Sequence, residues 1–244
     1  MKRINAEGIH YRELNERINE ATRAGETDIV LDNVRGQRYI GTGLGSPVHI
    51  TINGTAGADL AALMNGARIT VNGNAQAGVA NTMNAGKIVI HGGAGDIMGY
   101  SLRGGKLFVR DDVGYRAGIH MKAYKERMPK VVVGGTAGDY LGEYMAGGVL
   151  VVLGLNTDRT SSLGGYVGTG MHGGTIYVRG DLQPWQVGAE VGQPEIEDDD
   201  WENLKTLITE FCAEFDIDPG QFKREEFSKL IPVTARPYGR LYAY

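Results

Sequence analysis

Two glycine-rich stretches are the first residues to suggest chemistry. Gly41-Thr42-Gly43-Leu44-Gly45 and Gly168-Thr169-Gly170-Met171-His172-Gly173 have the composition of phosphate-cradling loops, and the second fits G-x-G-x-x-G. A dinucleotide fingerprint, however, must follow a strand and open a helix. Here Gly173 leads into Thr175-Ile176-Tyr177-Val178, which reads as another strand, so nucleotide binding is not expected. His49, His91, His120 and His172 are scattered, with no two at metal-ligand spacing on one element. Ser46, Ser101, Ser161, Ser162 and Ser228 do not supply the G-x-S-x-G turn of an α/β-hydrolase nucleophile. Cys212 is the single cysteine, which rules out an intramolecular disulfide or a cysteine-ligated cluster within the chain. These residue types form no constellation, and no catalytic, cofactor-binding or metal-ligating residue is assigned.

The elements that carry these residues repeat. Coil starts fall at His49, Arg68, Lys87 and Lys106, each 19 residues after the last, and a fifth begins at Lys130. A fixed period of that size marks a stacked solenoid. The second position of the repeat holds Ile50, Ile69, Ile88, Leu107, Val131 and Leu150, and the fourth holds Ile52, Val71, Ile90, Val109, Val133 and Val152. Apolar, largely β-branched residues two apart describe a short strand with one buried face. Further inward columns run through Ala56, Ala75, Ala94, Val113 and Ala137, then Leu60, Val79, Met98, Ala117 and Leu141. Met64, Met83, Leu102, Met121 and Met145 form another. The pattern predicts a mainly β chain, a right-handed parallel β-helix of about 19 residues per coil. Asp96 and Asp139 share one column, but Tyr115 stands between them, and the paired acids of a glycoside hydrolase are not expected there.

Along the chain, residues 1–26 carry an amphipathic helix over 10–24 (Tyr11, Leu14, Ile18 and Ala21 on one face), expected to plug the first coil. The β-helix spans 27–182, with its first strand at Thr27 to Asn33. Residues 183–200 read as an acidic linker, and 201–244 as C-terminal helices and tail: Trp201 to Phe215, then a further helix opening at Asp218-Pro219, both expected to cap the last coil. Insertions lengthen two coils, at 122–129 and 155–163, where loops on a flank often make contacts.

Composition narrows the possibilities. The net charge is −4 with 38 glycines in 244 residues, and those glycines fall in register, which marks architecture rather than disorder. No basic tract appears, so a nucleic-acid partner is not expected. The N-terminus lacks a signal-peptide core and the longest apolar run is too short to span a bilayer, so a cytoplasmic, non-membrane location is expected.

Stacked coils such as Gly92-Gly93-Ala94-Gly95-Asp96-Ile97-Met98-Gly99, with their closing Met-x-Gly-Gly, resemble the β-helical C-terminal domain of the glutamate synthase large subunit, the GXGXG domain, over about Asp28 to Gly180. The coil is also similar to subunits of formylmethanofuran dehydrogenase and of methylglutamate-forming enzymes. The chain lacks the N-terminal cysteine nucleophile, flavin barrel and cysteine cluster of the full-length synthase. The resemblance therefore implies a stand-alone scaffold subunit of a split glutamate synthase, not catalytic alone and with no cofactor of its own. Its implied partners are a glutaminase subunit and a synthase subunit carrying FMN and an iron–sulfur cluster, and isolated chains could self-associate. An autonomous hydrolase acting in a groove on the rod is the reading of another class.

Overall fold

The computed structural model describes residues 1–157 and 162–233. Its elements are β1 (Lys2–Asn5), α1 (Tyr11–Arg23), β2 (Asp28–Arg35), β3 (His49–Thr55), β4 (Asn65–Asn72), β5 (Ala85–Ile90), β6 (Lys106–Val109), β7 (Lys130–Val133), β8 (Ala146–Val152), β9 (Gly173–Arg179), β10 (Val191–Gly192), α2 (Asp198–Phe215) and β11 (Phe227–Pro232).

The 19-residue period becomes a ladder. His49 faces Arg68, Arg68 faces Lys87 and Lys87 faces Lys106, all in parallel register. The ladder continues through Lys130, Val149 and Thr175, so both lengthened coils absorb their extra residues outside the strands. Ala56, Ala75, Ala94, Val113, Ala137 and Leu163 make a second line of parallel bridges. Both strand columns, together with Leu60, Val79, Met98, Leu141 and the methionine column, fill one buried core. The chain is a parallel β-solenoid with a helix at each end of the sequence.

The N-terminal plug is as expected in its helix and richer in its surroundings. His10 caps α1, accepting the Arg12 amide hydrogen on Nδ1 (3.4 Å), and Leu14, Ile18 and Ala21 are buried in the rod core. Ahead of it, β1 pairs with β2, so the strand expected to be first is the second.

The C-terminal region departs from expectation in two respects. First, α2 lies along the flank of the rod rather than over its end. At one terminus the Tyr177 hydroxyl donates to Asp200 (3.2 Å); at the other, Arg68 Nη2 donates to Glu214 (2.7 Å). An 18-residue helix is about 27 Å long, which matches the roughly 24 Å spanned by the strands from β4 to β9. Leu204, Leu207, Ile208, Phe211 and Cys212 pack on Phe108, Val132, Val151 and Tyr177, a second core outside the coils. The acidic Asp198, Asp199 and Asp200 form the first turn of α2, where negative charge complements the helix dipole. Second, no helix follows Asp218-Pro219. That segment makes two short 3-10 turns and then β11, antiparallel to β9. Its apolar residues Phe222, Phe227 and Leu230 do not keep helical spacing, and Leu230 instead faces Ile176 across the sheet. The remaining tail, 234–244, lies outside the described residues.

Candidate protein-interaction surface

Opposite the strands, each coil runs through an unusual backbone. Every second residue adopts positive φ: Asp59, Ala61 and Leu63 (57°, 60°, 59°), Ile97, Gly99 and Ser101 (51°, 70°, 50°), then Tyr140, Gly142 and Tyr144 (61°, 67°, 52°). Left-handed backbone is uncommon for non-glycine residues and a genuine outlier for a β-branched one such as Ile97. What holds it is hydrogen bonding to both neighbouring coils. Ile97 and Ser101 donate to Tyr115 O and Ile119 O of the next coil (2.9 Å each), while Gly99 donates back to Val79 O (2.7 Å). Both glycine-rich stretches are this segment. Gly41, Gly43, Gly168 and Gly170 are its left-handed positions, and the helix that phosphate loops need is absent after both.

The middle residue of each triplet points inward and must be small; a Cβ on Gly142 would stand 2.6 Å from Ile176 Cδ1. The outer two project to solvent, and here the sequence places rings. Tyr140 and Tyr166 stack coil on coil with centroids 4.9 Å apart and planes 11° from parallel. His120 stacks on Tyr144 at 5.3 Å and 14°, with Tyr100 edge-on to His120 at 5.9 Å. The Arg116 guanidinium covers Tyr140 at 4.9 Å and Tyr115 at 5.6 Å. Its Nε lies 3.1 Å from Glu143 Oε2, a charge pairing in which the N–H is not aimed at the oxygen, so that atom lacks a true hydrogen-bond acceptor. Leu63, Tyr100, Tyr115, Tyr144, Tyr166 and Trp185 are all exposed, Tyr166 by 55% and Trp185 by 69%. The result is a ridge of rings on one flank. Its outward positions from Asp59 to Gly170 include Tyr140, Tyr144, Tyr166, His120 and Arg116 and no lysine, and Trp185 lies exposed beyond them, a composition that suits a protein interface core.

The residues weighed for chemistry have structural tasks. Asp96 accepts the Tyr115 amide (3.1 Å) and Asp139 accepts that of Gly165 (2.7 Å), each staple joining one coil to the next. His49 bonds the Thr70 hydroxyl (3.2 Å), and its pKa is lowered by burial and by Arg68. His91 packs edge-on against Phe215, and His172 Nδ1 sits 3.3 Å from Gly170 O. Among the described residues, no group of three or more His, Cys, Asp or Glu could hold a metal ion, and no helix is long and apolar enough to cross a membrane. Cys212 lies on the buried face of α2, with its thiol pKa pushed up to about 11 by desolvation and by Asp218. Of the serines, Ser162 is buried; Ser161 lies outside the described residues. The loop at 122–129 is described in full, whereas 158–161 of the other lengthened coil is not.

A parallel β-solenoid in which one flank of each coil alternates left-handed backbone positions is the class this architecture defines. The family model for the GXGXG motif matches residues 9–233, and the chain belongs to that family. It is 46% identical over 249 residues to the uncharacterized protein MJ1350 of Methanocaldococcus jannaschii, an alignment covering 98% of this chain and 95% of that protein. Among solved structures it is similar to a chain of the formyltransferase/hydrolase complex FhcABCD from Methylorubrum extorquens, determined with methylofuran. That similarity has a TM-score of 0.59 and 19% identity, and covers 89% of this chain and 86% of the other. At that identity it is the solenoid fold that is shared.

Proposed function

We propose that this chain is a scaffold subunit of a multi-subunit enzyme and that the aromatic ridge is where a catalytic subunit docks. The observation that carries the reading is the exposed ring ladder running from Tyr100 to Trp185 on a rigid rod. Large exposed rings held in place by stacking offer contact area at little entropic cost. The resemblance to the GXGXG domain of glutamate synthase supports one assembly in particular. In it, a glutaminase subunit and a synthase subunit with FMN and an iron–sulfur cluster are held together to convert glutamine and 2-oxoglutarate to glutamate. The solenoid shared with a chain of a formyltransferase/hydrolase complex favours a second reading, in which the catalytic partners handle one-carbon units.

The test is purification of the tagged full chain from its source cells, with partners identified by mass spectrometry. A yellow, iron-containing partner plus a glutaminase supports the glutamate synthase assembly, and a molybdenum or tungsten enzyme moves the chain to the one-carbon assembly. A Tyr144→Ala/Tyr166→Ala double variant, substituted at exposed positions, is expected to lower partner recovery about tenfold or more. Recovery of the chain alone would sink the scaffold reading.

A further inference from the structure

Several cations of this chain are held in ion pairs. Arg3 pairs with Asp32, Arg68 and Lys87 with Glu214, Arg179 with Glu226 and Lys229 with Asp200. One corner of the rod is different. Arg103 and Lys122 occupy the same column in adjacent coils, the Lys122 amide donating to Leu102 O at 3.0 Å. Immediately after Lys122 the five-residue insertion closes a tight hairpin, with Tyr124 and Arg127 exchanging two backbone hydrogen bonds of 3.0 Å each. The hairpin folds back on the earlier coil: a Cβ on Gly104 would stand 3.1 Å from Arg127 Cβ, which seats Arg127 beside Arg103. Lys130 then re-enters the ladder opposite Lys106.

Five cations thus gather at the turn into the strand: Arg103, Lys122, Lys125, Arg127 and Lys130. Among the described residues none of them forms an ion pair, and the buried Arg103 Nε has no hydrogen-bond partner. Glu126 is the one carboxylate of the hairpin, and neighbouring Glu210 is already shared by Lys87 and Lys106. In a protein of net charge −4 this is a local reversal of sign. Two exposed apolar side chains, Tyr124 (47%) and Met128 (50%), sit within it. The corner also adjoins the ring ladder, because Lys122 follows His120 by two residues.

We propose that this corner docks an acidic face of a partner protein, forming the charged edge of the aromatic ridge; the proposal rests on the scaffold reading and specifies its partner. Charge complementarity favours an acidic partner, and Tyr124, Met128 and the adjoining rings favour a folded protein over a polyanion. Interfaces of this kind steer association electrostatically and weaken with salt.

The test uses the tagged full chain and the complex it forms in its source cells. Lys122→Glu/Lys125→Glu/Arg127→Glu alters three exposed side chains, and circular dichroism checks that the fold is unchanged. The triple variant is expected to recover about tenfold less partner at physiological ionic strength, while Lys122→Arg/Lys125→Arg recovers normal amounts. Carbodiimide coupling of the native complex is expected to join Lys122, Lys125 or Lys130 to aspartates or glutamates of the partner. Unchanged recovery by the triple variant, or couplings confined to other lysines, overturns this proposal and leaves the scaffold reading intact. Nuclease-sensitive nucleic acid in place of protein overturns it in favour of a polyanion. A chain that elutes alone even at low salt overturns both.

Discussion

The ammonium of Lys87 lies 2.8 Å from Glu210 Oε1, a partner 123 residues further along the chain. It also reaches Glu214 Oε1 at 2.7 Å and rests 4.7 Å from the centre of the Phe108 ring. One side chain at the first position of a coil therefore ties α2 to the solenoid. Arg68 and Lys106, one coil to either side, complete the attachment. Beneath these ion pairs Phe211 packs edge-on against Phe108 with centroids 5.7 Å apart.

Replacing Lys87 by Met keeps the aliphatic stem and leaves two carboxylates short of a partner in a half-buried setting. The expected loss is about 2 kcal/mol, read as a lower urea midpoint. Phe211→Ala, which empties the centre of the second core, is expected to cost about 3–5 kcal/mol. A stability within a few tenths of wild type for both variants would mean that α2 contributes little to the fold.

The same contacts set a pH dependence. Burial works against ionisation of Glu210 and Glu214, but hydrogen bonds from Lys106, Lys87 and Arg68 outweigh it and hold both pKa values below the usual glutamate range. Because the folded-state values are depressed, their stabilisation is complete above the unfolded glutamate pKa of about 4.3 and is lost as pH falls through the folded values. Denaturation midpoints should be flat near neutrality and decline below roughly pH 4.5. The Glu210→Gln/Glu214→Gln variant should be weaker at pH 7 and show a smaller acid decline. An equal decline in both proteins would place the sensitivity elsewhere.

Gly142 occupies a left-handed site (67°) with its missing side chain aimed at Ile176 Cδ1. Gly142→Val adds both backbone strain and an overpacked core, for an expected cost of about 2–5 kcal/mol. The thermal midpoint measures it, and a Val variant as stable as wild type would contradict the inward orientation of that column.

Cys212 reports whether α2 is seated. Its thiol is buried and its pKa is pushed up to about 11, so little thiolate exists at pH 8. An aromatic disulfide reagent is expected to react slowly with the native protein and rapidly in denaturing urea. Lys87→Met should raise the native rate; fast labelling of the wild-type protein would show that the helix lifts readily.

The inward columns were legible because they alternate with polar residues at a fixed period, and a single face in contact with a core needs only that. The docked helix left an equally regular mark in a column read less easily. The third strand position runs Thr51, Thr70, Val89, Phe108, Val132, Val151 and Tyr177, changing from hydroxyl to apolar where α2 covers the sheet. A strand apolar on both faces is covered on both faces. The left-handed triplets were hidden for a different reason. Tyr140, Tyr144 and Ile97 are poor formers of that backbone, and hydrogen bonds to two adjacent coils impose it. The ring ladder consequently became visible only when the coils were stacked. β11 is not legible in the sequence because its pairing partner, β9, is distant along the chain, Phe227 facing Arg179 and Leu230 facing Ile176, whereas Asp218-Pro219 offers a local helix start.

The reversal at β11 has a consequence for size. Parallel coils are an open-ended construction, since each exposes the edge on which another can form. Here the strand laid on β9 runs the opposite way and is followed in the sheet by β10, only two residues long. The next edge offers almost nothing to copy. Growth stops there, so the strand reversal sets the number of coils and with it the length of the rod.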